Sequence, residues 1–509
     1  MDTIQTLATA VIQWGALTLV FLIGVGILAI AIIYIIDITQ TEQTIRRNYP
    51  VVGRFRYFFE HLGEFFRQYF FSMDREELPF NRADRSWVYR AAKKVDTTIP
   101  FGSTRSLEDE GEPIFINSPF PTLSEDIAQP APLTIGENSA RQPYTTSSII
   151  NISGMSFGAI SKPAVLALSN GAKKAGIWMN TGEGGLSAHH LAGGCDIVFQ
   201  IGTAKYGVRD DNGSLSDEKL KAVASHKQVK MFEIKMSQGA KPGKGGILPG
   251  AKVTEEIAKI RGINVGEDSI SPNGHLEIKS VDDLLDMINR VRDVTGKPTG
   301  FKTVVGSFEF FHELCRKIHE RGIAQSPDFI TLDSANGGTG AAPQALMDYV
   351  GLNIKESLPE VIDIITSYGL RDRIKIIASG KLITPGIAAW SLSAGADFIT
   401  SARGFMFALG CIQALQCHKN TCPTGITTHN KKLQRGLVPK NKAERVANFA
   451  EKLVYSVGLI AHSCGVKQPR DLNRTHMRII QQGGRSKMFS EIYPTSEIKP
   501  EYIIRSTAE

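Results

Sequence analysis

The stretch "GFKTVVGSFEFFHELCRKIHERGIAQSPDFITLD", residues 300–333, decides the fold because it contains a complete strand–helix–strand unit. Its two short runs, at 300–305 and 328–333, are apolar and rich in the β-branched and aromatic residues that favour strands. The residues between them, 308–322, have a helical pattern. A strand, a helix and a second strand in this order predict two parallel strands of one sheet.

The same alternation recurs from residue 147 to residue 402. Eight runs are short, apolar and β-branched: 148–153, 176–181, 197–202, 229–236, 300–305, 328–333, 373–379 and 397–402. Eight units predict a closed (β/α)8 TIM barrel, and an open doubly wound sheet is the competing architecture. No G-x-G-x-x-G pattern follows the first run, which disfavours a dinucleotide-binding sheet. The second and third runs lie so close together that we expect no regular helix between them.

Glycine-rich loops follow most of these runs, and 48 residues of the chain are glycine. In a (β/α)8 barrel the loops at the carboxyl ends of the strands form the active site. Glu183 lies between glycines after the second run, and Gly380 and residues 402–404 follow the seventh and eighth. Barrels often bind a phosphate at these last two loops. The pattern predicts a phosphate-bearing cofactor such as FMN; the alternative is that the glycines only make tight turns.

Lys302 lies in the middle of the fifth run. If it faces the barrel interior it needs an anionic partner, because a buried unpaired charge is costly. The N1–C2=O edge of a flavin gains negative charge on reduction and would serve as that partner. The alternative, from the alternation of side chains along a strand, is that Lys302 faces outward.

The chain begins with a long apolar segment. No charged residue lies between Asp2 and Asp37, and residues 11–36 exceed the about 20 residues that cross a bilayer. A cleaved signal peptide is the alternative, but the start lacks Lys and Arg and the apolar run is too long. Four arginines follow the span and none precedes it. We therefore expect a single-pass membrane protein with its body on the cytoplasmic side.

Composition divides the rest of the chain. Aromatic residues and arginines at 54–71 predict a segment lying among lipid headgroups, although a helix packed on the main domain would have a similar pattern. Residues rich in Pro, Ser and acidic side chains predict an extended lead-in to the barrel. The predicted domains are a tail at 1–10, a transmembrane helix at 11–36, a juxtamembrane amphipathic segment at 37–71, a lead-in at 72–146, the barrel at 147–435 and a helical extension at 436–509.

Three of the six cysteines fall in "CIQALQCHKNTC", residues 411–422. Their C-x5-C-x4-C spacing, followed at once by Pro423, favours an iron–sulfur cluster. A zinc site with His418 or His429 as the fourth ligand and a set of buried packing cysteines are the alternatives. The other three cysteines are scattered, so we expect no disulfide framework and a reducing compartment.

The net charge of +7 is mild for 509 residues. It is compatible with anionic ligands or lipid, and the chain carries no nucleic-acid-binding motif. We therefore expect no nucleic-acid partner.

Several motifs together resemble the FMN-binding synthase domain of glutamate synthase. They occur in that family's order over roughly residues 150–435. The matching stretches are "MSFGAISKPA" (155–164), "NTGEGG" (180–185), "QGAKPGKGGILPGAKVTEEIAKIR" (238–261), "ISP" (270–272), "NGGTGAAP" (336–343), "SGKLITPG" (379–386) and "ALGCIQALQCHKNTCPTGITT" (408–428).

The resemblance implies a glutamate synthase-like oxidoreductase of the class that acts on CH–NH2 donors. Its cofactors would be FMN and a 3Fe–4S cluster bound by Cys411, Cys417 and Cys422. Ammonia would condense with 2-oxoglutarate to 2-iminoglutarate, and a hydride from reduced FMN would convert this imine to L-glutamate.

The same resemblance implies roles for residues of the strand-end loops. Lys241 would bind a substrate carboxylate, Glu183 would lie near the substrate and the ammonia entry, and Lys302 would lie at the flavin edge. The candidate cofactor contacts are Ser156, Gln238, Lys302, Asn336, Gly337, Gly338, Thr339, Gly380, Ala402 and Arg403.

The sequence also departs from the family. Ile247 stands where family members commonly carry a Gln that contacts the substrate. We find no glutaminase domain, no C-terminal β-helix and no pyridine-nucleotide domain, so we expect an unidentified electron donor and a separate source of ammonia. Two alternatives follow: the same fold acting on another oxo-acid or amine, for example forming N-methylglutamate, or a non-catalytic flavin and iron–sulfur module that passes electrons at the membrane.

Overall fold

The structure, a computed structural model, describes residues 2–66, 70 and 73–503. It divides into two compact units, Met1–Glu77 and Leu78–Glu509, and each is described by itself.

In its described residues the N-terminal unit contains three helices: α1 (Asp2–Thr39), α2 (Thr44–Asn48) and α3 (Gly53–Phe66). The segment Gln5–Thr39 is long and apolar enough to cross a membrane, and its large apolar side chains are exposed. At the end of α1, the buried carboxylate of Asp37 accepts hydrogen bonds from Arg46 at 2.7 Å and Arg54 at 2.8 Å. This ionic cluster ends the apolar helix.

Helix α3 exposes several aromatic rings, among them Phe55, Phe58 and Phe59. The juxtamembrane interpretation of residues 37–71 rests partly on residues 67–69 and 71, which lie outside the described residues. It therefore stays a prediction.

The lead-in to the barrel has more regular structure than its composition suggests. It contains α4 (Arg82–Ala92) and three short strands, β1 (Pro113–Phe115), β2 (Leu133–Ile135) and β3 (Tyr144–Thr146). The Asn81 side chain caps α4 by accepting a hydrogen bond from the Asp84 N–H at 2.8 Å. Val88 and Ala91 of this helix are buried against the main core.

Eight parallel strands close into a barrel. In chain order the barrel strands are β4 (Ile150–Ile152), β5 (Met179–Asn180), β6 (Ile197–Ile201), β7 (Val229–Lys235), β10 (Thr299–Val304), β11 (Phe329–Asp333), β12 (Lys375–Ser379) and β13 (Phe398–Ser401). Between β7 and β10 the chain forms a separate antiparallel pair of strands, β8 (Ile247–Leu248) and β9 (Ser269–Ile270), which we call the β8–β9 hairpin. Strand β13 pairs with β4 and closes the ring. Each of the eight predicted runs coincides with one barrel strand, with β10 beginning one residue before its run, so the predicted fold class is confirmed.

Helices follow the strands. They are α5 (Lys162–Ala175), α6 (Ala188–Leu191), α7 (Asp217–Ala224), α8 (Glu255–Arg261), α9 (Val281–Thr295), α10 (Glu309–Arg321), α11 (Gln344–Tyr349), α12 (Ile354–Ser367), α13 (Pro385–Ser393), α14 (Arg403–Leu409) and α15 (Lys431–Gln434). Between the second and third strands only the four-residue α6 is present, as the short spacing of those runs predicts.

Aromatic and aliphatic side chains fill the amino-terminal end of the barrel. Trp178 lies at the centre of this group, with its ring centroid 5.0 Å from that of Phe398 and 6.2 Å from that of Tyr144. Tyr144 and Ile135 belong to the β2–β3 hairpin of the lead-in. The lead-in therefore closes one end of the barrel and leaves the carboxyl end of the strands for the loops.

The C-terminal residues pack on the outside of the barrel. The long helix α16 (Pro439–Ser463) lies so close to α5 that a Cβ added at Gly171 would lie 2.5 Å from the Cβ of Val446. Strand β14 (Met477–Ile480) pairs with both β1 and β15 (Ser486–Met488), and two short helices, α17 (Phe489–Ile492) and α18 (Pro500–Ile503), follow.

Candidate functional site

A cavity of about 130 Å³ lies at the carboxyl ends of the barrel strands, and we call it the strand-end pocket. It is lined by residues from the loops that follow the strands, with the β8–β9 hairpin on one side. The polar and charged residues that line it are Ser156, Glu183, Gln200, Lys235, Gln238, Lys241, Arg261, Ser271, Thr339, Arg403 and Thr427.

Glu183 and Lys235 form an ion pair in this pocket. The Lys235 ammonium donates to Glu183 at 2.6 Å and also to the Gln238 side-chain oxygen. Burial alone would raise the pKa of Glu183, but the charges of Lys235, Lys241 and Arg261 outweigh it and lower that pKa. Glu183 is therefore an ionised carboxylate at neutral pH.

Lys241 is a second lysine of the pocket. It is buried and forms no ion pair within the described parts of the chain. Burial, together with the nearby charge of Lys235, lowers its pKa to about 8. A buried lysine without a carboxylate partner attracts an anionic ligand.

Arg261, the last residue of α8, is a third cation of the pocket. Its side chain is buried and donates to the Ser269 hydroxyl at 3.0 Å and, more weakly, to the Ser156 hydroxyl at 3.4 Å. Its Nε atom is buried with no hydrogen-bond partner in the described chain. Arg261 has no ion pair with a carboxylate there either, so its planar guanidinium is available to an anion.

Two glycines allow the loops to approach one another around Glu183. Gly182 adopts a left-handed φ of +64°, and a Cβ there would lie 2.5 Å from the Ser156 backbone nitrogen. A Cβ on Gly246 would lie 2.6 Å from a carboxylate oxygen of Glu183. Ile247, the next residue, begins β8 and presents an apolar side to the same pocket.

Lys302 lies deeper, in a small chamber within the barrel that also contains Asn180, Glu233 and Thr331. Its ammonium is 3.1 Å from the Asp333 carboxylate. Burial opposes the charge, but Asp333 and Glu233 raise the pKa of Lys302 above its ordinary value. Lys302 therefore faces inward, which is one of the two interpretations that the sequence allowed. Its partner in the structure is the carboxylate of Asp333, which the sequence did not indicate.

The glycine-rich loop after β11 and the loop after β13 meet at Arg403. The Arg403 guanidinium donates to the backbone oxygen of Thr339, and a Cβ on Gly338 would lie 2.7 Å from its Nε. The Gln238 amide donates to the Thr339 hydroxyl at 3.2 Å. A continuous polar chain therefore runs from Arg403 through Thr339 and Gln238 to Lys235.

A second cavity, of about 680 Å³, lies beside the first, and we call it the cysteine cavity. Cys411, Cys417 and Cys422 all line it. Much of the remaining wall is apolar and includes Phe80 and Met347.

The environment of the three thiols suits a thiolate-ligated group. The backbone N–H of Gln413 lies 3.5 Å from the Cys411 sulfur, the Thr424 hydroxyl 3.3 Å from that of Cys422, and the Arg403 guanidinium 3.8 Å from that of Cys417. Such donors stabilise negative charge on sulfur. In the part of the chain that the structure describes, no group of three or more His, Cys, Asp or Glu residues is already arranged to hold a metal ion.

The surroundings of Cys411 and Cys422 shift the pKa values of these two thiols in opposite directions. Burial raises the pKa of Cys411 to about 11. Burial opposes ionisation of Cys422 as well, but hydrogen bonds from Thr424 and Thr427 lower its pKa below the ordinary value. Cys422 is therefore the thiol that forms a thiolate more readily than Cys411.

The two cavities share a wall. The residues that line both are Gly338, Thr339, Gly340, Ala341, Arg403, Met406, Cys417 and Thr427. A group bound in one cavity would be separated from a group bound in the other by these residues.

The structure brings most of the sequence-predicted site residues together. The strand-end pocket contains Ser156, Glu183, Gln238, Lys241, Gly338, Thr339, Ala402 and Arg403. Asn336 and Gly337 line the cysteine cavity instead, with the three cysteines. Lys302 lies in the deeper chamber, and Gly380 lies outside all three linings, where a Cβ would lie 2.5 Å from that of Ser334.

Sequence reasoning missed two charged residues of the pocket, Lys235 and Arg261. Lys235 could have been found, because it alternates with Glu233 near the end of the fourth predicted run and so shares its inward face. Arg261 lies within a motif that we quoted, but it ends a helix remote from the strand ends in sequence. Only the packing of α8 against the loop at 155–160 brings it to the pocket.

Comparison with known proteins gives consistent matches. The conserved region in glutamate synthase matches residues 112–467. The chain is 40% identical over 501 residues to the glutamate synthase large subunit-like protein YerD of Bacillus subtilis (strain 168), covering 91% of this chain and 95% of that protein. It is 33% identical over 339 residues to the archaeal glutamate synthase (NADPH) of Methanocaldococcus jannaschii, covering 65% of this chain and 62% of that enzyme. The chain thus spans less than two thirds of the archaeal enzyme.

Among solved structures, a mandelate oxidase variant with a monooxide FMN adduct superposes with a TM-score of 0.43 at 14% identity, covering 78% of this chain and 92% of that one. A flavocytochrome b2 variant with sulfite bound gives a TM-score of 0.44 at 10% identity, covering 84% and 88%.

The closed barrel, its strand-end pocket and the match to the conserved region define the class of this protein as an FMN-dependent oxidoreductase on a (β/α)8 barrel. Since the conserved region covers more than half of the chain, and a relative of 40% identity is matched over 95% of its length, the chain belongs to the glutamate synthase family.

Proposed function

We propose that this protein aminates 2-oxoglutarate reductively with ammonia, through 2-iminoglutarate, to give L-glutamate. The observation that carries the proposal is the pair of buried cations, Lys241 and Arg261, that face the strand-end pocket without a carboxylate partner in the described residues. Lys235 and Glu183 neutralise each other. Arg403, the other cation in the lining, is directed toward the Thr339 backbone oxygen and the Cys417 sulfur in the wall shared with the cysteine cavity. That leaves the positive charges of Lys241 and Arg261 to match the two carboxylates of 2-oxoglutarate.

The polar residues of the pocket suit each part of this reaction. Arg261 and Lys241 would bind and orient the oxo-acid. Glu183, kept ionised by its neighbours, would accept a proton from ammonium so that the nitrogen can attack the oxo carbon. Lys235 would hold the Glu183 carboxylate in place through the 2.6 Å contact.

FMN, when bound, supplies the hydride for the imine. The residues that would hold it are those of the glycine-rich loop at 336–340 and of the loop at 402–403, with Ser156 and Gln238 beside them. The close approach of Gly338 to Arg403 supports this assignment, because a larger residue at position 338 would collide with the guanidinium. Glycine there keeps the wall between the two cavities thin. Lys302 would lie at the flavin edge as an ion pair with Asp333, 3.1 Å away, so it would offer hydrogen bonds rather than an unpaired positive charge.

We assign a 3Fe–4S cluster to the cysteine cavity, held by Cys411, Cys417 and Cys422. Support comes from the three thiols that line one cavity and from the N–H and hydroxyl donors at 3.3–3.5 Å from two of their sulfurs. When bound, such a cluster supplies single electrons to a neighbouring flavin.

The apolar helix α1 supports a membrane anchor. We propose that Gln5–Thr39 spans the bilayer once, with the barrel on the cytoplasmic side, where Arg46 and Arg54 follow the span. The test is to wash membranes with carbonate and then treat closed vesicles with protease. Release of the full-length chain by carbonate would contradict an anchor, and cleavage only from the periplasmic or outer side would contradict the orientation.

Glutamate formation tests the proposed reaction directly. Anaerobically purified protein, loaded with FMN and iron–sulfur and reduced with dithionite, should form glutamate from 2-oxoglutarate and ammonia. Absorption and paramagnetic-resonance spectra of the same sample report both cofactors. If both are fully present and no glutamate forms, the proposal is wrong.

Ile247 favours a second candidate function, in which the same pocket takes another oxo-acid or an amine such as methylamine. Its apolar side chain lines the pocket where the family's Gln would offer an amide. Candidate oxo-acids and methylamine can be compared by their perturbation of the flavin spectrum. A response to 2-oxoglutarate alone would eliminate this candidate. The non-catalytic electron-transfer alternative is disfavoured, because a module of that kind has no need of a pocket lined by Lys241 and Glu183.

A further inference from the structure

Tyr206 is a buried tyrosine that does not line the strand-end pocket but lies directly behind it. Two guanidinium groups pack over its ring. The Arg261 guanidinium carbon is 5.1 Å from the ring centroid, and that of Arg209 is 4.9 Å from it. Cation–π contacts at such distances hold a guanidinium plane against an aromatic face.

Hydrogen bonds complete the same support. The Tyr206 hydroxyl lies 2.8 Å from the Ser269 hydroxyl, which in turn accepts from Arg261 at 3.0 Å. Ser269 is in β9 and pairs with Leu248 of β8, so the support reaches the hairpin that carries Ile247.

Arg209 fixes the backbone of Arg261 rather than its side chain. One of its nitrogens donates to the carbonyl oxygens of Arg261 and Gly262 at 3.1 and 2.9 Å. The end of α8 is therefore held from outside, while the Arg261 guanidinium is held by Tyr206 and Ser269. The side chain has been fixed before a ligand arrives, so binding does not have to order it.

We propose that Tyr206 and Ser269 are positioning residues, which hold the Arg261 guanidinium ready for a carboxylate of the substrate. This inference rests on the proposed function of the strand-end pocket as an oxo-diacid site. It adds two residues, from the loop after β6 and from the β8–β9 hairpin, that act on the substrate only through Arg261.

Calorimetric titration with 2-oxoglutarate and with glutarate, a dicarboxylate that cannot react, tests the inference on the full chain with cofactors bound. Tyr206→Leu removes the ring and should weaken binding of both anions about tenfold. Tyr206→Phe keeps the ring and loses only the hydroxyl, so it should recover most of the affinity. Ser269→Ala should give an intermediate loss.

Kinetics should separate positioning from general damage. Tyr206→Leu should raise KM for 2-oxoglutarate while kcat changes little, because the ring orders a binding group and touches no reacting atom. Its melting temperature should fall, because a buried ring is lost, so the split between KM and kcat carries the test. The matched control is Tyr455→Leu, which removes a tyrosine that contacts Lys452 in α16 at 4.7 Å, on the protein surface. It should leave both anion affinities unchanged.

The outcomes distinguish this inference from the proposed function. Unchanged affinities in Tyr206→Leu, with active wild-type protein, overturn the inference and leave the function standing. Wild-type protein that makes no glutamate but binds glutarate in a Tyr206-dependent manner overturns the function and supports the inference. Wild-type protein that binds neither anion overturns both.

Discussion

The strand-end pocket and the cysteine cavity lie side by side but are built in different ways. The pocket takes most of its charged groups from strand ends and the loops that follow them; Lys235 ends β7, for example, and Lys241 lies in the loop after it. The cysteine loop follows the last barrel strand and depends on its own turns. Gln413, Leu415 and Asn420 all adopt left-handed backbone conformations there.

Support for the cysteine loop also comes from the lead-in. The Tyr89 hydroxyl donates to the Cys411 backbone oxygen at 2.5 Å, and the Gln413 amide donates to the backbone oxygen of Phe80 at 3.0 Å. The barrel and its loops therefore position the charged groups of the pocket, whereas segments outside the barrel help to position the three thiols. Changes in one region should therefore leave the other intact, except at their shared wall.

The largest expected effect tests whether the pocket is independent of the cysteine cavity. Cys417→Ser and Cys422→Ser should abolish the cluster's paramagnetic-resonance signal, because each removes one of three thiolate ligands. Bound flavin and glutarate affinity should remain. The control is Cys464→Ser, which alters a buried thiol outside both cavities. Loss of glutarate binding together with the cluster would mean that the two regions are not independent.

Arg261→Gln tests the same independence of the two regions from the pocket side. Loss of the buried guanidinium should weaken 2-oxoglutarate binding about 100-fold, since a hydrogen bond to a charged group contributes about 1.5–3 kcal/mol. The cluster signal should be unaffected. Arg290→Gln is the matched control, because this arginine pairs with Asp217 on the surface. Equal losses in the two variants would refute a specific role for Arg261.

The pH dependence of anion binding tests whether Lys241 in the pocket holds the anion. Lys241 is charged below its pKa of about 8 and loses its proton as the pH rises through that value. Glutarate affinity should therefore fall above about pH 8, by up to about tenfold per pH unit. Lys241→Arg should move this fall to much higher pH, because a guanidinium does not titrate in this range. A fall at the same pH in Lys241→Arg would assign it to another group.

The smallest effect concerns Ile247. Ile247→Gln places an amide in the pocket and should tighten 2-oxoglutarate binding by about two- to tenfold, the value of one added hydrogen bond of about 0.5–1.5 kcal/mol. Ile247→Leu keeps the apolar character and serves as the control. Weaker binding of 2-oxoglutarate by Ile247→Gln would favour a substrate with an apolar part at this position.

The barrel was predictable because each strand is encoded locally, as a short apolar run with a helix or a glycine-rich loop after it. The cysteine cluster was visible for the same reason, since its three thiols lie within twelve residues. The support for Arg261 was not visible. Tyr206 and Arg209 come from the loop after β6 and Ser269 from β9, and only tertiary packing brings them to Arg261 at the end of α8.

Lys302 shows the same limit of prediction from the sequence, here for a single residue. Strand alternation allowed an inward side chain and its burial required an anion, but the sequence could not identify Asp333 as its partner. That carboxylate lies at the end of the neighbouring strand, beside Lys302 in space and 31 positions away in the chain.

The polar chain from Arg403 through Thr339 and Gln238 to Lys235 has a consequence for how charge moves in this protein. Arg403 contacts the Cys417 sulfur at 3.8 Å, and Lys235 contacts Glu183 at 2.6 Å. Under the proposed function, an electron added near that sulfur would raise the proton affinity of groups at the other end of the chain. Electron arrival on one side would then be coupled to proton uptake on the other, and reduction of an imine to an amine consumes both electrons and a proton.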